Sequence, residues 1–518
     1  MSARPDGQGS GMSVDGVDAR TPGLGRTAAR GGAATLVAQV ARIAIQMASI
    51  VVLARLLGPT EYGLVAMVTA IVGFASILQD FGLSRAAIQA RVITRGQRDN
   101  LFWLNLACGV LAGGAVFLAA PAVARLYDEP LLVDITRWLA LSFVMGGLAA
   151  QARASLLRNL RFAVSASTEV IGPLLGLVVA VVVASSGGSY WALVGQQLVS
   201  AGVVAGVSMI AAGWLPGLPK RHESVRSFVS YGVHLLGAQV LTYASSNADS
   251  VVVGARFGAA PAGLYDRAFQ MMMMPIRQLT WPTSRVAMPV LARLQDDADR
   301  FSRFLVRGQT IVLNATMPVL GLAAALGAPV VEILLGRSWL ELAPLFTVLA
   351  VGGAFQIAGF AATWVLVSTG NTKAQFRFAL VSRPLVVVAV VVGSFWGVTG
   401  VAAAYALAVG LSWPASVWWA GRAAGMAARE WFLNGARAIV AHGTAAVCAG
   451  LLSDVLALPG PWAQVGTGAG AMLLVLGVEA LVWPAFRRDL AQFWRTKELL
   501  SARPRAGDQA GASSRPEA

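Results

Sequence analysis

About fourteen apolar stretches, each near twenty residues long, follow one another along this chain, and that spacing constrains the fold more than any other feature. A helix rises 1.5 Å per residue, so each stretch is long enough to cross a hydrocarbon core of roughly 30 Å. The windows cover approximately 33–57, 61–83, 100–124, 131–150, 163–185, 190–212, 228–253, 262–285, 304–327, 342–367, 374–396, 400–420, 436–457 and 464–485, twice the length a spanning β-strand needs. Lipid offers the backbone no hydrogen-bond partners, so a span must satisfy its own N–H and C=O groups, which a helix does. The expected fold is an all-α integral membrane protein with about 14 transmembrane helices. A composition that is 56% hydrophobic and 13% charged, with mean hydropathy +0.66, agrees with lipid as the main solvent.

The formal net charge of +15 would suggest nucleic acid in a water-soluble chain. Here the basic residues alternate between connections. Arg85, Arg91, Arg95 and Arg98 follow the second window, Arg153, Arg158 and Arg161 the fourth, and Lys220, Arg221 and Arg226 the sixth. Of 40 Lys and Arg, about 32 fall on one side, five (Arg55, Arg125, Arg137, Arg256 and Arg337) on the other, and three within spans. The positive-inside rule then places both termini in the cytoplasm, explains the pI by topology, and removes nucleic acid as a partner. Residues 1–30 and 487–518 read as cytoplasmic tails; the first is rich in Gly, Ser, Asp and Arg and lacks a signal-peptide core.

Residues 31–65 and 231–265, compared at a fixed offset of 200, are identical at 12 of 35 positions, where this biased composition would give roughly four by chance. Gln39 pairs with Gln239, Gly58 with Gly258, and Gly63-Leu64 with Gly263-Leu264. Arg161-Phe162-Ala163 is echoed by Arg377-Phe378-Ala379. The repeat predicts two pseudo-symmetric six-helix lobes, 31–212 and 228–420, and two further helices over 436–485. Such lobes relate by an axis along the membrane normal and can rock about a shared site, which is alternating access.

Polar residues inside the windows keep helical spacing. Gln39, Arg42, Gln46 and Ser49 share one face of the first; Gln239, Thr242, Ser246 and Asp249 occupy the matching positions of the seventh. Arg267, Gln270, Met274, Arg277 and Trp281 form a stripe on the eighth, and Thr69, Ser76 and Asp80 one on the second. An ionised Arg at membrane depth costs at least about 2.5 kcal/mol, so it faces water, a ligand or an acid. Two readings stand for each arginine: a cavity contact to an anionic substrate, or a buried ion pair, for instance of Arg42 or Arg277 with Asp249. For Glu169, Glu332 and Glu479 the ordinary structural reading is preferred, as it is for His234 and for packing by Met271 to Met274. Gly58-Pro59 and Gly63 read as a tight turn between the first two windows.

Several chemistries lack their residues. None of Lys220, Lys373 and Lys497 follows a glycine as a phosphate loop requires. Cys108 and Cys448 lie in apolar runs without metal or redox spacing, so no metal or cofactor is expected. The connections on the basic-poor side are short, and Asp128, Glu129 and Asp134 in one of them read as solvated charges rather than a catalytic set. An enzyme is therefore not expected.

The stretch LARLLGPTEYG at Leu53 to Gly63, DFGLSRAAIQ at Asp80 to Gln89, SLLRNLRF at Ser155 to Phe162 and STGNTKAQFR at Ser368 to Arg377 together resemble the Wzx-type polysaccharide flippases. The resemblance covers about residues 28–425 and implies the multidrug/oligosaccharidyl-lipid/polysaccharide exporter fold. It also implies export of undecaprenyl-diphosphate-linked repeat units for lipopolysaccharide O-antigen or exopolysaccharide. Implied partners are the lipid-linked substrate, membrane lipid, a polysaccharide polymerase and glycosyltransferases. Arg42, Arg267 and Arg277, with Gln39, Gln46 and Gln270, are the candidate substrate-binding residues, and Asp249 a candidate ion-coupling group. A cation-coupled drug exporter of the same fold and a membrane O-antigen ligase or polymerase remain as alternatives.

Overall fold

The computed structural model describes residues 24–80, 83–90, 93–220, 222–223, 225–226, 228–229, 243 and 245–501. All regular elements among them are helical. In chain order they are α1 Leu24–Leu56, α2 Pro59–Asp80, α3 Leu83–Gln89, α4 Arg95–Tyr127, α5 Leu132–Arg158, α6 Phe162–Ser185, α7 Trp191–Ala212, α8 Ala248–Phe257 and α9 Ala259–Arg293. There follow α10 Ala298–Ala325, α11 Gly327–Leu334, α12 Ala343–Ala358, α13 Phe360–Ser368, α14 Thr372–Gly393, α15 Gly397–Ala424, α16 Arg429–Leu456, α17 Pro461–Val482 and α18 Pro484–Ser501.

Among the described residues, eleven helical segments are long and apolar enough to cross a membrane, against the fourteen windows expected. Windows 374–396 and 400–420 fall in one 53-residue segment, Thr372–Ala424, bent at the 3-10 turn Ser394–Trp396 and at Gly397, whose φ is 80°. Window 262–285 lies in α9, which at 35 residues is long enough but carries Asp266, Arg267, Arg277, Arg285 and three prolines. Window 228–253 lies largely outside the described residues.

The chain packs as two compact units, Met1–Arg267 with Leu334–Leu342 and Val387–Val401, and Ala268–Ile333 with Ala343–Val386 and Ala402–Ala518. In the first, α4 lies along α5, α6 along α7, and α1 along α6. Lipid gives no hydrophobic drive between helices, so small residues that let backbones approach supply the contact. A Cβ on Gly147 would come within 2.7 Å of the Asn105 carbonyl oxygen, and one on Gly113 within 2.8 Å of that of Ala140. Thr94 and Gln97 close a capping box at the start of α4, beside which Asn100 Nδ2 donates to the carbonyls of Lys220 (2.8 Å) and Glu223 (2.9 Å).

Gly63 sits inside α2 rather than in the turn that precedes it. Its Cα faces the start of α9: an added Cβ would overlap the Ala259 carbonyl oxygen and stand 3.0 Å from Gly263 N. Reciprocally, a Cβ on Gly263 would overlap the Pro59 carbonyl oxygen and stand 2.8 Å from Gly63 N. Positions 59 and 63 meet positions 263 and 259, so the 200-residue offset of the sequence repeat reappears as a two-fold contact. The turn itself is closed by Glu61, whose Oε2 accepts from Gly58 N at 3.0 Å.

In the second unit α16 packs against α10 and α17. Asn434 Nδ2 donates to Gln309 Oε1 (3.0 Å), Thr310 Oγ1 donates to Asn434 Oδ1 (3.1 Å), and Arg437 Nη2 donates to the same Oδ1 at 3.1 Å. Arg437 then grips Asp489 of α18 through Nε (2.6 Å) and Nη2 (3.1 Å). Ala441, Ala445, Ala449, Met472 and Phe486 form the apolar part of this seam. The last helix is thus bound into the unit by a bidentate ion pair. Asp489→Ala leaves Arg437 without its partner in a largely buried seam and is expected to destabilise by about 3 kcal/mol, read as a lower unfolding midpoint in detergent with Asp489→Asn in between.

Candidate functional site

Arg42 lies seven residues into the apolar segment Thr35–Leu56, about 10 Å along the helix axis. Its Nη2 donates to Gln39 Oε1 at 2.9 Å, one turn earlier on the same face. Its Nη1 lies 3.7 Å from Glu169 Oε2, and Glu169 Oε1 accepts from Arg153 Nη2 at 3.1 Å. The acid beside Arg42 is therefore Glu169 of α6 rather than Asp249. The three side chains come from α1, the end of α5 and the start of α6, and so stand at similar depth from one side.

Two guanidinium groups on one carboxylate leave a net charge of +1. The side chains of Arg42, Glu169 and Arg153 are 44%, 42% and 42% exposed, so the cluster faces open space and is not sealed between helices. Pairs this open contribute under about 1 kcal/mol each, so a stronger anion can displace the carboxylate. Gln46, one turn further along α1, is exposed on the same face. Ser49 is engaged, accepting from Gln196 Nε2 at 2.8 Å.

Other sequence candidates take different places. Arg267 is packed inside the first unit: its side chain is 15% exposed, its guanidinium lies 4.1 Å from the centroid of the buried Tyr62 ring, and it pairs with Asp266 at 3.6 Å. Tyr62 in turn meets the Trp339 ring edge-on, and Trp339 Nε1 donates to the Ala54 carbonyl at 2.8 Å. Of the two readings open for each arginine, Arg267 takes the enclosed one, with the aromatic ring and Asp266 as its company. Asp249 is also buried, accepting from Tyr265 Oη at 2.8 Å and from Ser250 N at 2.9 Å near the start of α8. Its carboxylate joins α8 to α9.

Gln270 is half-buried in the second unit. Arg277, in the same unit, is exposed, and it forms no ion pair or hydrogen bond among the described residues. Trp281 (67% exposed) and Arg285 continue its face at successive turns of α9. Met271 and Met272 are buried packing residues. Thr69 and Ser76 donate to the carbonyls of Val65 and Gly73 in their own helix, and Thr444 donates to Glu479. Gln239, Thr242 and His234, and the side chain of Asp80, lie outside the described residues. Among the described residues no group of His, Cys, Asp and Glu has the arrangement of a metal site.

Sequence position alone groups Arg153 with the basic connection after the fourth window and Glu169 with ordinary span-end acids. The signal that joins them is hairpin distance: Arg153 lies five residues before the end of α5 and Glu169 seven after the start of α6. A tight connection brings such positions opposite one another.

A family profile described as "Polysaccharide biosynthesis protein" matches residues 52–344. The lipopolysaccharide biosynthesis protein WzxC of Escherichia coli (strain K12) is 26% identical over 368 residues, 69% of this chain and 73% of that protein. The succinoglycan biosynthesis transport protein ExoT of Rhizobium meliloti (strain 1021) is 23% identical over 372 residues, 72% and 75% of the two chains. Among solved structures, the lipid II flippase MurJ in an inward closed conformation superposes with a TM-score of 0.68 at 12% identity, over 89% of this chain and 100% of that one. An inward-facing multidrug resistance MATE family transporter gives 0.58 at 13%, over 74% and 94%. These two likenesses establish the fold, a multi-pass helical transporter fold.

Proposed function

Because this chain belongs to the polysaccharide biosynthesis protein family, we propose that it is a flippase that carries polyprenyl-diphosphate-linked oligosaccharide repeat units across the bacterial inner membrane. The observation that supports this reading is the open cluster of Arg42, Arg153 and Glu169, a net positive site about 10 Å inside an apolar segment. A diphosphate with about two negative charges cannot cross hydrocarbon bare, and paired guanidinium groups match its oxygens in geometry and sign. The head group enters from the cytoplasmic side, where the basic connections lie, and exchanges with Glu169 for the two arginines. Gln39 and Gln46 hydrogen-bond the first sugars.

In the same reading the two repeats, 31–212 and 228–420, rock to alternate access while the polyprenyl tail stays in lipid. Arg277, with Gln270 on the same helix, offers a second cationic contact for the anion during transfer. Both termini stay in the cytoplasm. A polymerase outside and glycosyltransferases inside are the enzymes whose substrates it connects. The relatives named for polysaccharide biosynthesis and transport accord with this role.

The test is the leaflet in which the substrate stops. Cells lacking the protein are expected to accumulate lipid-linked repeat units in the cytoplasmic leaflet, where an impermeant sugar-oxidising reagent does not reach them. Accumulation in the outer leaflet would assign the protein to polymerisation or ligation instead.

A further inference from the structure

Away from the arginine cluster, the outward faces of α4 and α5 enclose a groove of about 510 Å³. Its floor is made by Gly113, Gly114 and Ala140, and its walls include Phe117, Trp138 and Leu141. On α5 the lining residues run from Asp134 to Val144, ten residues or about 15 Å, which is half a hydrocarbon core of roughly 30 Å. The groove therefore matches the depth of a single leaflet.

One end of the groove carries charge. Asp134 and Arg137 both line it, three residues apart on the first turns of α5. At that spacing they would ordinarily pair with each other. Instead the Arg137 guanidinium lies 5.1 Å from the Phe117 ring centroid, its buried Nε has no hydrogen-bond partner, and neither residue forms an ion pair among the described residues. Trp138 meets Trp191 edge-on at 6.2 Å, and Tyr190 stands beside Trp191 at 5.3 Å. Such an aromatic group marks the level of lipid head groups, and the polar turn Asp128–Leu131 begins just beyond.

We propose that this groove is a binding site for one zwitterionic glycerophospholipid of the phosphatidylethanolamine type. An acyl chain lies over Gly113 and Gly114, the phosphate accepts from Arg137, and the ammonium meets the Asp134 carboxylate. A net-anionic lipid satisfies Arg137 but brings like charge to Asp134. A choline head group offers Asp134 no N–H donor.

Lipid retained through purification in mild detergent can be counted by native mass spectrometry after exchange against equal amounts of phosphatidylethanolamine, phosphatidylglycerol and phosphatidylcholine. The wild-type chain is expected to keep one phosphatidylethanolamine, at least about tenfold above the other two. Gly114→Trp places a ring in the groove, where a Cβ meets nothing within 4 Å, and is expected to lose the bound lipid while the protein still elutes as a single folded species. Asp134→Asn with Arg137→Gln, which leaves the groove open, is expected to abolish the head-group preference. Retention unchanged in both variants, or a wild-type preference for phosphatidylglycerol, would overturn the proposal. Neither variant touches Arg42, Arg153 or Glu169, so the result is independent of the substrate reading.

Discussion

Arg42→Ala combined with Arg153→Ala is expected to reduce export of lipid-linked sugar to the background of cells lacking the protein. Each guanidinium contributes charge-assisted hydrogen bonds worth about 1.5–3 kcal/mol, so loss of both weakens diphosphate binding by roughly 10²- to 10⁴-fold. The fold should survive, because both side chains are more than 40% exposed and neither fills the core. Removal of both cations also leaves Glu169 alone on the face proposed for the diphosphate. Glu169→Gln works in the opposite direction: it frees both arginines and is expected to tighten binding several-fold. The measurement is substrate binding to purified protein beside export in cells. Full export by the double variant, inserted at normal levels, would reject the site.

The pattern of apolar windows made the all-helical membrane fold legible, because lipid admits only self-satisfied backbones and windows of this length select the helix. It also singled out Arg42 and Arg277, which lie exposed in the structure. It could not say which charges find partners inside the protein. Arg267 has the same spacing as its neighbours, yet the ring of Tyr62, some two hundred residues earlier, takes its guanidinium. Asp249 was marked by its rarity at that depth, but Tyr265 and the Ser250 amide satisfy it. These partners come from other segments of the chain and leave no trace in local periodicity.

The basic residues between windows carried a second meaning that counting alone concealed. Arg158 Nη1 donates to the Ala87 carbonyl at 3.1 Å and also to that of Ala90, beside the end of α3, while Arg161 Nη1 donates to the Ala211 carbonyl near the end of α7. Carbonyls at helix ends lack intrahelical donors and attract cations. The same arginines that the charge count assigns to one side therefore also cap its helices. Arg153 turns toward the acid Glu169, because it lies a turn and a half before the end of α5 and reaches α6 instead of a helix terminus.

Gly63→Ala and Gly263→Ala are each expected to cost more than about 4 kcal/mol and to remove most of the folded protein from the membrane, the range reserved for changes that leave a clash without an escape. A methyl at either position meets a backbone carbonyl of the other repeat, Ala259 or Pro59, and a backbone atom in a helix cannot rotate aside as a side chain does. Relief requires the starts of α2 and α9 to separate, which pulls Tyr62 from the Arg267 guanidinium that covers it. Because the contact is reciprocal, the two single variants should fail to a similar degree. Their combination should cost less than the sum, since one separation of the helices relieves both clashes. Gly114→Ala and Gly443→Ala, where a Cβ meets nothing within 4 Å, serve as controls and should be neutral. Folded yield and unfolding midpoint in detergent give the answer. If Gly63→Ala were as stable as Gly114→Ala, the two-fold contact between the repeats would not be as close as the geometry places it.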